Sequence, residues 1–454
     1  MNPQEDPDMP LEEVEDDGGE EFINMAEAVE VIVDDNDVPM DEDDEEEEQD
    51  GDQFPSSAAP VVDMAKLVIE SHSDHVYSVA SHYDTPSRTL YIISGAGDDK
   101  AFLHKIGDNA TTTTTPLSHV HKDSVSCAAF NMAYVSDDLT KTPVYAAVGA
   151  YDGAIVIYDP QTGTKLQELE GPSDVEFLSF HPKGGSVLLA GSGEDGTVWM
   201  YHLPTSKCLQ VFVGHESGVT AGAFTPDGKW ALSASSDGTL RVWAPRTGVN
   251  KHVFRTGQSA LTCLATGGGT DKNLVMVGAE NGIAHVCHVV TKKVLATLRH
   301  VEVPTDGKHD NEEIDLALSV EAVGFSSSNA NWCATGGVDG QLKIWDLANG
   351  FCRQICSFEK AGEQQTAGGI TRLQWHPTLP LVYTAASDGV VRIWDARNGN
   401  LVTALTGHSD MINDMSICCG IVDGKDVVVS GSDDNSVRVF EVDIAAAVAA
   451  QGGN

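Results

Sequence analysis

Gly214-His215-Glu216-Ser217-Gly218-Val219, followed by Phe224-Thr225-Pro226-Asp227-Gly228 and by Ser233-Ala234-Ser235-Ser236-Asp237-Gly238-Thr239-Leu240-Arg241-Val242-Trp243, is one unit of a pattern that runs through most of this 454-residue chain. The unit turns tightly at Asp237-Gly238, alternates, and reaches an aromatic residue six positions on. Its turn residue recurs as Asp98, Asp152, Asp195, Asp237, Asn281, Asp339, Asp388 and Asp434, at spacings of 54, 43, 42, 44, 58, 49 and 46 residues. The aromatic slot holds Tyr158, Tyr201, Trp243, Trp345, Trp394 and Phe440, and falls to His104 and Cys287 in the first and fifth units. Repetition at a near-constant period outranks any single motif. Eight repeats are present. Period-2 alternation joined by Gly, Asp, Asn and Pro predicts four short strands per unit, and Asp-Gly between alternating runs marks the hairpin. No unit has a helical stretch. A four-stranded unit cannot bury both faces alone, so the copies must pack side by side around an axis.

The positions of Gly214-His215, Gly407-His408, Trp345-Asp346 and Trp394-Asp395 resemble the signature of the WD-repeat β-propeller, over about residues 65–443. The resemblance implies an all-β fold, an eight-bladed WD40 β-propeller spanning residues 61–443. Lys66-Leu67-Val68-Ile69-Glu70-Ser71-His72 is similar to Gln210-Val211-Phe212-Val213-Gly214-His215, the last strand of a unit, yet has no three strands before it. Strand 65–70 is therefore expected to complete the last blade, whose own strands end near Val442. That closes the ring and removes free sheet edges. Residues 444–454 read as a flexible C-terminal tail.

Charge is unevenly spread. Against 27 Lys+Arg stand 69 Asp+Glu, a net −42. Residues 1–60 hold 25 of the acids and no Lys or Arg, with Asp41 to Glu48 the extreme run. Such composition cannot bury enough apolar surface to offset chain entropy, which predicts a disordered acidic N-terminal tail. Val29-Glu30-Val31-Ile32-Val33 interrupts it and resembles a SUMO-interacting motif, though a plain tail or a docking segment for another partner explains it better. Acid on this scale argues against direct contact with nucleic acid or an anionic membrane and favours basic partners. No apolar run approaches the roughly 20 residues of a membrane span. Acids stand where a secretory signal has basic and apolar segments, so a cytoplasmic chain is expected, with the nucleus also open to it. Nine cysteines, an odd number, fit reduced thiols. A monomer is expected.

Motifs suggesting catalysis dissolve into the repeat. In the WD family the Gly-His histidine, a strand Ser, the turn Asp and the Trp form a structural tetrad, which His215, Ser233, Asp237 and Trp243 match in full. His408, Ser430 and Asp434 match it with Phe440 in place of Trp. Gly191-Ser192-Gly193-Glu194-Asp195-Gly196 fits the dinucleotide fingerprint, but falls on a hairpin where that motif needs a helix. His285 and Cys287 share a strand face that His288 does not, and Cys352 and Cys356 lack a second pair at zinc spacing. The expectation is no enzyme, no metal and no cofactor.

The remaining chemistry lies on the rim. In this fold three positions per blade face the top: the residue before the turn Asp and two at the start of the first strand. Of the 24 aligned residues, six are acidic (Asp174, Glu176, Glu194, Glu280, Glu321 and Asp433) and none is Lys or Arg. An insertion at residues 300–318 adds six acids against Lys308 alone. An acidic cleft with low-dielectric walls attracts cations.

The acidic tail, the eight repeats and Ser94-Gly95-Ala96-Gly97-Asp98-Asp99-Lys100-Ala101-Phe102 together resemble the angio-associated migratory cell protein family, with its fungal ribosome-assembly relatives; a Trp expected in the first blade is His104 here. The resemblance implies a non-catalytic binding protein. In the fungal branch the role is a dedicated chaperone that captures the basic N-terminal segment of a nascent large-subunit ribosomal protein, L-ten (the bacterial L-sixteen type), for ribosome assembly. Here Glu176, Glu194, Glu280, Glu321, Asp174 and Asp433 would accept client Lys and Arg, while Tyr77 and Tyr151 would stack on guanidinium groups. The alternatives are a general scaffold in signalling or cell migration and a histone-tail adaptor.

Overall fold

The computed structural model describes residues 62–451, apart from 108–110, 135–140, 184–185, 268–270, 302–318, 358–367 and 423. The acidic tail, its Val29–Val33 island and nearly all of the acidic insertion lie outside the described residues. Each repeat forms one four-stranded antiparallel sheet, and there are eight. In blade 4 the strands are Val219–Phe224, Ala231–Ser235, Thr239–Trp243 and Asn250–Arg255, numbered outward from the axis. Gly238 makes the hairpin possible with a left-handed φ of +72°; its counterparts in the first and last blades are Asp99 and Asn435, at +61° and +66°, residue types that tolerate that region.

Strand composition follows depth in the blade. Second strands such as Leu274–Ala279 and Leu381–Ala386 are buried along their whole length, because sheets cover both of their faces. They are continuous apolar runs where simple alternation was expected. Outer strands such as Phe351–Cys356 alternate exposed and covered positions. The core divides into eight clusters, each drawn from two neighbouring blades. Ile69, Val76, Val79, Ile92, Val427, Val429, Val437 and Val439 form the one that joins the last blade to the first.

The ring closes through Leu67–Ile69, the outer strand of the last blade, which pairs antiparallel with Val437–Val442 in the register Leu67↔Val439 and Ile69↔Val437. Ion pairs from Lys66 to Glu441 and from Arg438 to Asp63 pin it further. The C-terminus departs from the expected flexible tail, because Ile444–Gln451 is an α-helix. Asp443 caps it, accepting the Ala446 N–H at 2.9 Å. The alanine-rich sequence favours helix, and Ile444 with Ala447 packs against the cluster between blades 7 and 8.

The hydrogen-bonded tetrads are more numerous than the repeat motif suggested. In blade 4, His215 lies 3.0 Å from Asp237 and 2.7 Å from Ser233, and the Trp243 Nε1–H donates to Ser233 at 2.8 Å. A carboxylate only accepts, so His215 Nδ1 carries the proton and its Nε2 accepts from the Ser233 hydroxyl. Blade 6 has an equally complete set in His300, Thr335, Asp339 and Trp345. In blade 1, His104 takes the tryptophan's place, 2.9 Å from Ser94, so that slot is not eroded in function. In blade 7 no histidine joins this network among the described residues; the Arg392 guanidinium donates two bonds to Asp388 instead.

Candidate functional site

Local backbone geometry builds the top face. In seven blades the N–H before the turn donates to the carbonyl at the start of the first strand, as in Ser236 to Gly218, Glu280 to Ala260 and Asp433 to Met411. In blade 3 a side chain replaces that carbonyl, and Asp174 accepts from the Gly193 and Glu194 N–H groups at 3.0 and 3.1 Å and from the Ser192 hydroxyl. Asp174 therefore spends acceptor capacity on its own hairpin.

A β-bulge in the first strand sets the inner ring of side chains. The register skips Tyr77, Ser126, Thr220, Thr262, Glu321, Thr371 and Asn413, and Glu176 holds the equivalent place before Phe177–Phe180. A bulge takes its residue out of the ladder and re-aims the side chain. Where that residue is Ser126, Thr220, Thr262, Thr371 or Asn413, it donates to a carbonyl of the next blade, for example Thr220 to Leu261 at 2.8 Å. A carboxylate cannot donate. Glu176 and Glu321 make no such bridge among the described residues, and both face an axial cavity of about 610 Å³. Five first strands line it, with Glu280, Thr262, Cys263 and Arg372 on its wall.

The predicted residues fall into two groups around this cavity. Glu176, Glu280 and Glu321 share the wall. Asp433, Tyr77, Tyr151 and Asp174 form an arc over the adjoining blades. Asp433 accepts from Asn413 at 2.7 Å and lies 3.1 Å from His75. Tyr77 is pushed up by burial and by the charges of Asp74 and Asp433. Burial foremost, then the charge of Glu176, pushes Tyr151 to about 12, and Tyr151 is still 41% exposed. Glu194 stands exposed at the rim. Burial foremost, then Asp174, raises the Glu176 carboxyl, while Arg372 lowers it. Glu321 accepts a hydrogen bond from Ser319, whereas Glu176, Glu194 and Glu280 accept none from side chains among the described residues.

Arg372 and Asp414 were missed by motif alignment. Each follows its blade's bulge by one residue, outside the aligned positions. Arg372 Nε donates to Asp414 at 3.2 Å, and Asp414 accepts from the Val79 N–H at 3.0 Å and the Ser78 hydroxyl at 3.2 Å. The cavity is thus acidic with one cation at its wall, a feature that alternation about the bulge would have revealed. Cys263 offers no nucleophile there, because burial pushes its thiol to about 12. No helix among the described residues is long and apolar enough to cross a membrane. The arrangement can hold cationic side chains.

A closed ring of eight four-stranded blades, carrying His–Ser/Thr–Asp–Trp tetrads and a side-chain-lined top cavity, defines a WD-repeat β-propeller. Residues 163–202 and 206–244 match the WD domain, G-beta repeat, and residues 248–442 match the nucleolar protein 10-like N-terminal domain. The chain belongs to the angio-associated migratory cell protein family: it is 33% identical over 383 residues to the Homo sapiens member, across 83% of this chain and 80% of that one. A WD repeat-containing protein of Schizosaccharomyces pombe is 29% identical over 447 residues, 94% of this chain and 99% of its own. Among solved structures, Saccharomyces cerevisiae Sqt1 superposes with a TM-score of 0.70 at 18% identity, over 84% of this chain and 99% of that one. Chaetomium thermophilum Sqt1, bound to the N-terminus of the ribosomal protein L10, superposes with a TM-score of 0.65 at 20% identity, over 84% and 100%. At these identities the likeness to Sqt1 is one of fold.

Proposed function

We propose that this chain is a non-catalytic chaperone that holds the Lys/Arg-rich N-terminal segment of a large-subunit ribosomal protein of the L10 type on its acidic top face, in the cytoplasm or nucleus, before ribosome assembly. The observation that carries this reading is the wall shared by Glu176, Glu280 and Glu321, with bulge carboxylates that make no bridge to the next blade. A ribosomal protein's basic segment would otherwise bind RNA non-specifically. Client ammonium and guanidinium groups pair with the three glutamates and with Glu194, Asp433 and the remaining capacity of Asp174. Tyr77 and Tyr151 cover aliphatic stems or stack on guanidinium planes, about 0.5–2 kcal/mol each. Arg372 pairs with an acidic client residue or favours the charged form of Glu176. The binding of the N-terminus of the ribosomal protein L10 by Chaetomium thermophilum Sqt1 supports the choice of client. The test is calorimetric titration of the full chain with the N-terminal peptide of the same organism's L10-type protein. Saturable 1:1 binding that weakens with salt supports the proposal, and no binding at low salt refutes it.

A scaffold role in cell migration is the second reading, favoured by the names of the relatives that share a third of the sequence. It would use the sides of the propeller, where Leu209, Val211, Val213, Phe351 and Ile355 are exposed. Partners captured equally well by a top-face charge-reversal variant would favour it.

A further inference from the structure

We propose that blade 2 carries a zinc-type divalent metal site built from His121 Nδ1, Asp152, His119 and Glu168. The ligand atoms of His119, His121 and Asp152 lie within 4.8 Å of one another, and Glu168 Oε2 stands 3.7 Å from His119 Nδ1.

Comparison between blades shows how the site arises. In the tetrads of blades 1, 4, 6 and 8 the histidine and turn aspartate are 2.8–3.1 Å apart; His121 Nδ1 and Asp152 Oδ1 are 3.4 Å apart. That is long for a hydrogen bond between such partners but close to the edge of a tetrahedron whose metal–ligand bonds are about 2.0–2.2 Å. The cause is one substitution in the repeat. The tetrad hydroxyl, Ser233 in blade 4, is Val148 in blade 2, fully buried. His121 is itself buried, and its Nε2 has no partner among the described residues. With no hydroxyl donating to Nε2, only the long contact with Asp152 holds the ring proton on Nδ1. The proton can sit on Nε2, and the Nδ1 lone pair then faces Asp152 and His119.

His119 precedes His121 by two residues, its ring 4.6 Å away, centroid to centroid. Lys165 lies 2.6 Å from Glu168 and 3.2 Å from His119, where it neutralises the cluster. It is partly exposed and can swing out, so it competes with a cation. Two imidazoles and two carboxylates suit zinc or cobalt better than calcium or magnesium. A bound ion would brace the hairpin that carries Tyr151.

Asp152 also accepts the Lys122 and Ala154 N–H groups, at 2.7 and 2.9 Å, but in the second cluster, His376, Cys419 and Asp426, the histidine too is fixed. His376 Nδ1 accepts the Thr378 and Leu379 N–H groups, and Asp426 is occupied by the Gly420 N–H and the Tyr383 hydroxyl.

Cobalt(II) titration of the full chain, read by visible absorption, tests the proposal. Tetrahedral cobalt absorbs strongly, whereas cobalt on the many surface carboxylates is six-coordinate and nearly colourless. The expected result is a saturating tetrahedral band at one equivalent, displaced by zinc and absent in His119→Gln. Lys165→Gln should tighten binding. Val148→Ser, which restores the tetrad hydroxyl and so fixes the proton on Nδ1, should weaken it by roughly tenfold or more while keeping the fold intact by circular dichroism. No tetrahedral band in the natural chain, a band that survives His119→Gln, or unchanged affinity in Val148→Ser overturns the proposal.

Discussion

Replacing Glu321 by lysine perturbs the centre of the proposed client site without touching its core. Glu321 is a bulge residue, so its side chain leaves the ladder and no next-blade bridge is lost; only the Ser319 hydrogen bond goes. A client ammonium about 4 Å from this carboxylate gains about 4 kcal/mol at an effective dielectric constant of about 20. Desolvation and side-chain ordering reduce that to a net of about 1–2 kcal/mol for a half-buried partner. Lysine replaces the attraction with a repulsion, which Arg372 in the same cavity reinforces. The total comes to about 2–3 kcal/mol, a loss of roughly 30- to 150-fold in affinity. Calorimetry with the L10-type N-terminal peptide, at two salt concentrations, measures it. Glu70→Lys makes the same charge change just past the outer strand Leu67–Ile69 and serves as control. Affinity unchanged in Glu321→Lys, or lowered equally in both variants, would refute the placement of the site.

Other consequences follow from individual residues. Glu176→Gln should weaken client binding yet raise the melting temperature at neutral pH. A carboxyl whose pKa is raised by burial is a cost once ionised, and that cost is absent below its unfolded value and grows as pH rises through the folded one. For the same reason, client binding in mildly acidic buffer should release a proton from Glu176, seen as a buffer-dependent calorimetric enthalpy. Ser233→Ala strands the Trp243 N–H and His215 Nε2 in the core, so it should cost about 2–5 kcal/mol in chemical denaturation; a loss below about 1 kcal/mol would contradict the tetrad account. The fold should lose stability as pH falls below about 6.5, because burial lowers His72, His121 and His215, and takes His104 to about 3, while the unfolded chain protonates these rings freely. A second loss is expected below about pH 4 as Asp237 is protonated; against burial, the Thr239, Glu216 and His215 hydrogen bonds hold it at about 2. Melting temperature against pH checks both.

The eight-fold repeat and the strand that closes the ring were legible because both are periodic signals: a turn residue every forty to sixty positions, and one orphan copy of an outer strand. The tetrad of blade 6 was hidden because its histidine, His300, is separated from Asp339 by a long insertion; only the 4- and 6-residue spacings of Thr335, Asp339 and Trp345 betray it. His104 read as a defect since a tryptophan and a histidine look unlike, though both place a ring nitrogen on the same hydroxyl. The helix at Ile444 was missed because eight residues seldom hold a helix without tertiary packing, and the packing of Ile444 is not written in its own sequence. At the site, alignment placed Glu176, Glu280 and Glu321 around one cavity but could not see that Asp174 serves its hairpin. Nor could it see that Arg372, one position beyond the bulge, reaches the channel. The first depends on how the blade 3 hairpin is held and the second on counting from the bulge rather than from the repeat motif.

The most direct test of the central claim is affinity capture from a low-salt extract of the native organism. The intact chain would be compared with a Glu280→Lys/Glu321→Lys variant that folds normally by circular dichroism. One predominant basic protein, of the L10 ribosomal type, should be held by the intact chain, released by salt and lost from the variant. The same partners on both baits, or a principal partner that is not basic, would contradict it.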